Sequence, residues 1–416
     1  MSVIKFGITI ITSRYLGADG RGIYVLVNQI VGFINSLSSL SVGEGLTYFT
    51  SRSKLFKNKV FFITIYFILI FSFLSGIILI FLNFILVENE NLKSLNTNFK
   101  IIILSLIIPF TAEYLIIFVL RGFKLFNNLN KLSLISKSII FIFLNFTIFV
   151  EENKIEKCLI FFTIAYAINC LIYLLYLNKV CVKKTIFEVK DKFKVIKYSF
   201  KVHIINFVNE VEYKIDTFII LFLLDIKSIG IYSIAVAVSQ LVFYVTNSIN
   251  TIIFPYLSSN LKSKYKRKIV LEMINSSFMF SILILLPLLL FGWFLFPFIF
   301  GEEFLYSYYV FTILSLATLS ESISRVIVSW FKGLNKAKEL INISLTCVFI
   351  NIILNLILVP YLNLYGVAIA SVISYWLRSI LIIIKFKSYI EFDISQLISF
   401  DYKKIIYFKK IYLKVK

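Results

Sequence analysis

Histidine is almost missing from this chain: His203 is the one imidazole in 416 residues. Imidazole is the commonest metal ligand and a frequent general base, so its scarcity removes most zinc chemistry and most Ser–His or Cys–His catalysis. Cysteine is nearly as sparse. Cys158, Cys170, Cys181 and Cys347 share no metal-ligand or redox spacing, and single thiols within apolar runs are packing residues. No nucleophile has an adjacent base and no ligand cluster offers a metal site, so the expected catalytic residues, metals and cofactors are none. Charge is scarce as well: 16% of residues are charged, where a soluble domain has about 25%. Soluble sequence is short in every loop. The longest polar insert, residues 179–201, is too small and too charged to form a domain, and no cleavable signal peptide is apparent.

Apolar residues fill the space instead. They make up 59% of the chain, 45 of them Phe, and they come as runs of roughly twenty, the length that crosses about 30 Å of hydrocarbon. A net charge of +21 would point to nucleic acid in a soluble protein. Here the basic residues sit in loops on alternate sides of the runs, which makes them a topology signal and leaves no role for nucleic acid. The expected fold is an all-α membrane protein of about twelve transmembrane helices, over residues 3–13, 23–49, 60–87, 101–120, 132–150, 158–177, 200–224, 231–257, 270–300, 304–331, 340–359 and 365–384. The first is short for a crossing, since eight residues separate Lys5 from Arg14, and an upstream segment is expected to complete it. Loops after the even-numbered runs hold 31 Lys and Arg, counted through Lys201 and the C-terminal tail; loops after the odd-numbered runs hold 7. Basic loops stay cytoplasmic, so both termini are expected there, and the turns at 301–303 and 360–363 face outward.

The chain repeats itself. Gly22-Ile23-Tyr24 recurs as Gly230-Ile231-Tyr232, an offset of 208 that also aligns Tyr48 with Tyr256 and Ser51 with Ser259. Leu129-Asn130-Lys131 recurs as Leu334-Asn335-Lys336 at nearly the same offset. This predicts two six-helix halves, residues 1–190 and 191–384, in the same orientation around a central cavity, followed by a tail over 385–416. In that tail, apolar groups (Leu397, Ile398, Phe400, Ile405) alternate with Lys403, Lys404, Lys409 and Lys410, the pattern of an interfacial segment drawn to anionic lipid.

Three stretches resemble one family. Arg14-Tyr15-Leu16-Gly17 with Gly20-Arg21-Gly22-Ile23-Tyr24 is similar to the loop between helices 1 and 2 of the O-antigen and polysaccharide flippases. Asp216 followed by Ile229-Gly230-Ile231-Tyr232-Ser233-Ile234-Ala235 resembles the start of their second half, and Leu364-Tyr365-Gly366-Val367-Ala368-Ile369-Ala370 the start of their last helix. That family belongs to the multidrug/oligosaccharidyl-lipid/polysaccharide exporter superfamily. The resemblance implies alternating-access movement of an undecaprenyl-diphosphate-linked oligosaccharide from the cytoplasmic to the outer leaflet of a bacterial inner membrane. It serves O-antigen, capsule or other surface polysaccharide synthesis. Membrane lipid and a polysaccharide polymerase machinery are the implied partners. Two alternatives stand beside it: a cation-coupled drug exporter of the same superfamily, and a membrane polysaccharide polymerase or ligase. The short external loops and the position of His203 near a cytoplasmic face disfavour the enzyme.

Ionisable residues within the runs carry the functional reading, because each is costly in hydrocarbon and marks a pair or a wet path. Glu210, Glu212, Lys214 and Asp216 crowd the seventh run. At 100° per residue Glu210 and Lys214 share a face and can pair, while Glu212 and Asp216 lie nearly opposite. Glu321 and Arg325 repeat the four-residue spacing in the tenth run, and Glu44 lies between Gly43 and Gly45 in the second. Glu113 follows Pro109 in the fourth run, where the missing donor can kink the helix. For a diphosphate substrate, Lys214 and Arg325 are the deepest cationic candidates, with Arg378, Lys137 and Arg121 at the cytoplasmic mouth. Glu44, Glu210, Glu212, Asp216 and Glu321 are candidates for ion coupling or gating. Asn206, Asn209, Gln240, Tyr244, Asn247, Asn351 and Asn355 suit the sugar. A cysteine introduced as Lys264→Cys should react with an impermeant thiol reagent only after the cells are opened; strong labelling of intact cells would reverse the orientation.

Overall fold

The computed structural model describes residues 2–85, 97–181, 185, 188–244, 246–247, 263–334 and 336–393. Regular structure among them is entirely helical: α1 (Ser2–Ser39), α2 (Val42–Arg52), α3 (Lys54–Ile85), α4 (Thr97–Gly122), α5 (Phe126–Asn145), α6 (Lys154–Val180), α7 (Val189–Leu223), α8 (Ile226–Ser239), α9 (Ser263–Phe300), α10 (Leu305–Gly333), α11 (Ile341–Leu362) and α12 (Leu364–Lys387), with short 3₁₀ turns between some of them. Nine described helices are long and apolar enough to cross a membrane, and the bent pair α1–α2 raises this to as many as ten. The chain is a multi-pass membrane protein.

Three departures from the sequence expectation have a local reason. The expected loop between the first two runs is reduced to a sharp kink at Gly17, whose φ of 67° and ψ of −173° separate two helical segments within α1, a conformation open to glycine without steric cost. The second run is instead broken: Leu40 and Ser41 have φ of 46° and 54°, and α2 leaves α1 at 57°. The bend therefore precedes Gly43 and Gly45, which lie inside α2. The seventh helix starts eleven residues before the expected 200, because Glu188 and Asp191 form a reciprocal capping box that opens α7 at Val189. Part of the polar insert is thus helix. Of the expected tail, residues 394–416 lie outside the described residues. Residues before them fold back, with Ile390 and Phe392 buried among Trp330, Phe331 and Phe386.

Packing divides the chain into two compact units, Met1–Gly230 and Ile231–Lys416. Within the first, buried apolar side chains form two clusters at different heights along the same helices. One gathers Val31 and Ile34 of α1, Ile103 and Leu106 of α4, Ile140 of α5 and Phe162 of α6. The other gathers Leu46 of α2, Phe67 of α3, Leu115 and Val119 of α4 and Tyr173 of α6. Between the two levels each of these helices places buried polar residues: Asn35 and Ser38 in α1, Ser75 in α3, Thr111 and Glu113 in α4, Ser136 in α5, Asn169 in α6. They bond across helices, with Ser38 and Ser75 hydroxyls 2.7 Å apart and Thr111 Oγ1 donating to Asn35 Oδ1 at 3.0 Å. Hydrocarbon supplies no partners for such groups, so a polar belt joins the helices where an apolar layer leaves register unspecified.

The repeated Gly-Ile-Tyr segments meet one another. A Cβ added to Gly22 would collide with the carbonyl of Ile226, and one added to Gly230 with the carbonyl of Ala18. The contacts are reciprocal, each glycine facing the carbonyl four residues before the other. Tyr24 then packs edge-on against Phe162 of α6, with ring centroids 5.1 Å apart, while Tyr232 reaches Ser371 of α12 at 3.5 Å. The crossing holds only glycines, which predicts that Gly230→Val costs about 1–3 kcal/mol through overpacking. Gly76, with nothing within 4 Å of a built Cβ, is the control: Gly76→Val should leave the melting temperature of the purified protein nearly unchanged.

In the second unit α9, α10 and α12 share one core of Ile274, Ile327, Phe331, Ile382 and Phe386. Helix α10 is rich in serine, and its backbone accepts from neighbours: Ser277 of α9 donates to the Ser322 carbonyl at 2.9 Å, and Ser379 of α12 to the Ser320 carbonyl at 3.0 Å. Small side chains bring these helices close enough for such bonds. The α11–α12 turn closes through Asn363 at φ 50°.

Candidate functional site

Helix α7 is absent from the set of apolar spanning helices, because its charges lie within the stretch that would cross. Glu210 and Lys214 pair at 2.5 Å. The pair lies on the face turned to α1, where Phe33 packs against Phe207 and Phe218 of α7. The glycine at 32 makes room, since a Cβ there would sit 2.6 Å from Lys214 Nζ. Glu212 is buried and Asp216 half-buried on the other side of the helix. A stripe of exposed Phe193, Phe200, Ile204 and Phe222 occupies a third face, suited to lipid. The helix thus separates its charges from its apolar stripe, and this separation replaces the two-sided exposure that sequence spacing alone implied.

Near the α1–α2 break, Ser41 Oγ lies 3.2 Å from His203 Nδ1 and accepts from Asn206 Nδ2 at 3.2 Å. Asn206 is thereby used in holding α7 to the break. Glu44 follows on α2, within electrostatic range of Arg121, whose guanidinium stacks on Phe118 at 4.6 Å. At the start of α7, Lys59 bonds Asp191 at 2.9 Å. Burial raises the Asp191 carboxyl, but the Lys59 bond, the Glu188 amide and nearby lysines outweigh it and hold the group below its usual range.

The second unit brings three of the expected residues together. Glu321 is 2% exposed. It accepts from Arg325 Nε at 3.1 Å and lies 3.5 Å from Arg378 Nη1, with the Ser324 hydroxyl 3.3 Å away. Arg325 also stacks over the ring of Phe243 at 3.7 Å. One carboxylate between two guanidiniums leaves a net positive site. Sequence spacing gave the Glu321–Arg325 pair but placed Arg378 at a helix end; α12 delivers it to the same carboxylate. Lys137 behaves alike in the first unit: it sits 3.7 Å from Glu113, which is 8% exposed.

Polar residues assigned to sugar divide. Asn351 donates to Ser374 Oγ of α12 at 3.2 Å and so joins two helices, while Asn355 donates to the Asn351 carbonyl at 2.9 Å within α11. Gln240, Tyr244 and Asn247 are exposed, and the side chain of Asn209 lies outside the described residues. Arg21 escaped the sequence reading. It is 7% exposed, hydrogen-bonded to Thr12 and set over Tyr24. It sits in a Gly-Arg-Gly stretch that reads as a loop but lies in the helical segment that follows the Gly17 kink.

The arrangement at Glu321 has an energetic consequence. Glu321→Ala should destabilise the protein by roughly 3–5 kcal/mol, because two largely enclosed guanidiniums lose their buried counter-charge. Adding Arg378→Met in that background should recover part of the loss, read as the thermal midpoint of detergent-purified protein. An unshifted midpoint in the single variant would remove Glu321 as the hub.

Residues 1–261 match the family model described as polysaccharide biosynthesis protein. A probable low-salt glycan biosynthesis flippase of Haloferax volcanii, Agl15, is 26% identical over 170 residues, covering 40% of this chain. The match spans only 36% of that relative's length. Among solved structures, the lipid II flippase MurJ in its inward closed conformation superposes with a TM-score of 0.72 at 16% identity, covering 99% of this chain and 90% of its own. An inward-facing multidrug resistance MATE family transporter of the MOP superfamily gives 0.73 at 13% identity, with 94% of each chain covered. A MOP superfamily transporter from Pyrococcus furiosus gives 0.60 at 11% identity, covering 93% and 91%. These relatives are flippases and transporters rather than enzymes, and the fold is theirs. With more than half its length matched, the chain belongs to the polysaccharide biosynthesis protein family.

Proposed function

We propose that this protein is a flippase that carries an undecaprenyl-diphosphate-linked oligosaccharide from the cytoplasmic to the outer leaflet of a bacterial inner membrane, for O-antigen, capsule or another surface polysaccharide. Both termini are cytoplasmic in this reading, supported by the 31-to-7 split of basic residues. The repeats 1–190 and 191–384 are its two transport halves, and polysaccharide polymerase machinery is its downstream partner. The observation that carries the reading is the net positive site around Glu321. A diphosphate is a multiply charged anion, and paired guanidiniums match it with charge-assisted, two-pronged hydrogen bonds. A drug exporter working on cations would gain nothing from that surplus of positive charge. The family match favours the glycan over the drug as well, since the fold alone is common to both.

Arg325 and Arg378 bind the headgroup, with Lys214, Lys137 and Arg121 drawing it in from the cytoplasmic side. Glu44, Glu210, Glu212, Asp216 and Glu321 act as coupling or gating carboxylates. In a deletion strain complemented with variants, Arg325→Ala should lower glycan export by about tenfold or more, the scale of one lost hydrogen bond between charged groups. Arg325→Lys should retain more, because it keeps the charge and loses the fork. Asp216→Asn should slow export while insertion stays normal. Glu321→Gln is run in parallel to separate a lost ligand from a lost pair. Normal export by Arg325→Ala and Asp216→Asn together would make these charges structural.

A further inference from the structure

The offset of 208 that relates Gly22 to Gly230 also relates Glu113 to Glu321. Both are buried carboxylates in mid-helix, at 8% and 2% exposure, and α4 and α10 are the fourth helices of the two repeats. Each carboxylate faces a basic residue on another helix, Lys137 of α5 for Glu113 and Arg378 of α12 for Glu321. Each also has a second basic group in range, Lys5 for Glu113 and Arg325 for Glu321. The first-unit cluster therefore repeats the charge balance of the second, with one acid between two bases.

Glu113 is held more loosely than Glu321. Its nearest contacts are Ser136 Oγ at 3.5 Å and Lys137 Nζ at 3.7 Å, both longer than a well-formed charge-assisted bond of about 2.7–2.9 Å. Asn169 of α6 donates to the Ser136 carbonyl at 3.3 Å, while its own Oδ1, fully enclosed, has no hydrogen-bond partner. Lys137 keeps 19% side-chain exposure, the same as Arg325, and its ammonium lies 5.7 Å from the Tyr166 ring centroid. Tyr173 and Cys170 also face Glu113 from α6. A polar belt between two apolar cores thus contains a slack ion pair.

We propose that the Glu113–Lys137 cluster is a second binding site for a phosphate-bearing anion, in which Glu113 is a placeholder that the anion displaces from Lys137. The inference rests on the flippase reading for the source of the anion, a lipid diphosphate headgroup, and places one such site in each repeat. The placeholder has a clear physical role. With no ligand present, a lone ammonium in a nearly dry interior would be costly, and the carboxylate supplies its counter-charge. An arriving phosphate offers more negative charge and more acceptors, and takes the ammonium over. Competition of this kind gives the acid and the base opposite effects on affinity, which a merely structural salt bridge does not.

The test is binding to full-length protein in detergent, read as ligand-dependent thermal stabilisation with inorganic diphosphate and with farnesyl diphosphate. Glu113→Gln should tighten binding several-fold, because the competitor has lost its charge, and Lys137→Met should weaken it by about tenfold or more. The double variant Glu113→Gln/Lys137→Met removes both members of the pair, leaving only the exposed Lys5 without Glu113, and so keeps the protein folded if a single variant does not; it should bind as weakly as Lys137→Met. Tighter binding of farnesyl diphosphate identifies a lipid headgroup as the ligand, and tighter binding of inorganic diphosphate a soluble anion; either upholds the site. Equal affinities for wild type and Lys137→Met, or weakening by Glu113→Gln as well as Lys137→Met, would overturn it. If Arg378→Met also leaves binding unchanged, the headgroup reading at Glu321 fails. If Arg378→Met weakens binding and Lys137→Met does not, only the second site fails.

Discussion

A charged side chain within a lipid-embedded bundle must find its counter-charge inside the protein, and the rest of this architecture follows from that requirement. Moving an ion from water into such an interior costs several kcal/mol even after relaxation. Glu113, Glu210 and Glu321 each lie within 4.0 Å of a basic side chain. Where a pair crosses between helices, it also fixes which helices adjoin and at what height. Lys137 ties α5 to α4, and Arg378 ties α12 to α10. Apolar packing alone would not set this register, since lipid tails compete equally for every Phe and Ile face.

The backbone accommodates the same requirement. Where α1 must deliver both Asn35 to the belt and Ser41 to His203, it breaks at Leu40–Ser41 instead of running straight. Where it must cross α8, it presents Gly22, and α8 presents Gly230. Side chains on α10 return their hydroxyls to their own helix, as Ser320 does to Ala317 at 2.9 Å and Ser322 to Leu319 at 2.7 Å. This leaves its surface narrow enough for α9 and α12 to reach its carbonyls.

How much of this was legible in the sequence depends on the range of the interaction. The apolar runs were legible because hydrocarbon thickness fixes their length, and α3, α4, α6, α9 and α12 overlie their expected spans. Glu210–Lys214 and Glu321–Arg325 were legible because one helical turn sets their spacing. The capping box at Glu188 and Asp191 was present in the sequence but hidden by the lysines around it, so the start of α7 was read too late. The partners of Arg378 and Lys137, though both residues were named as candidates, and the Gly32 hollow over Lys214 were not legible, because each needs a neighbouring helix whose rotation no local spacing encodes. The offset of 208 held the missing information: it paired the glycines that cross, and it also paired Glu113 with Glu321, a correspondence visible only once burial singles those two acids out.

The choice of cation at each hub adds a last step. Arg325 is stacked on Phe243 and bonded through Nε, so its planar fork is oriented before any ligand arrives. Little side-chain entropy then remains to be lost on binding an anion. Lys137 has no such support; its ammonium sits at long range from both Glu113 and Tyr166. A lysine so placed holds its partner by charge and not by geometry, and a flexible stem lets it follow a moving group. On the proposed reading, the Glu321 hub recognises shape and the Glu113 hub yields charge.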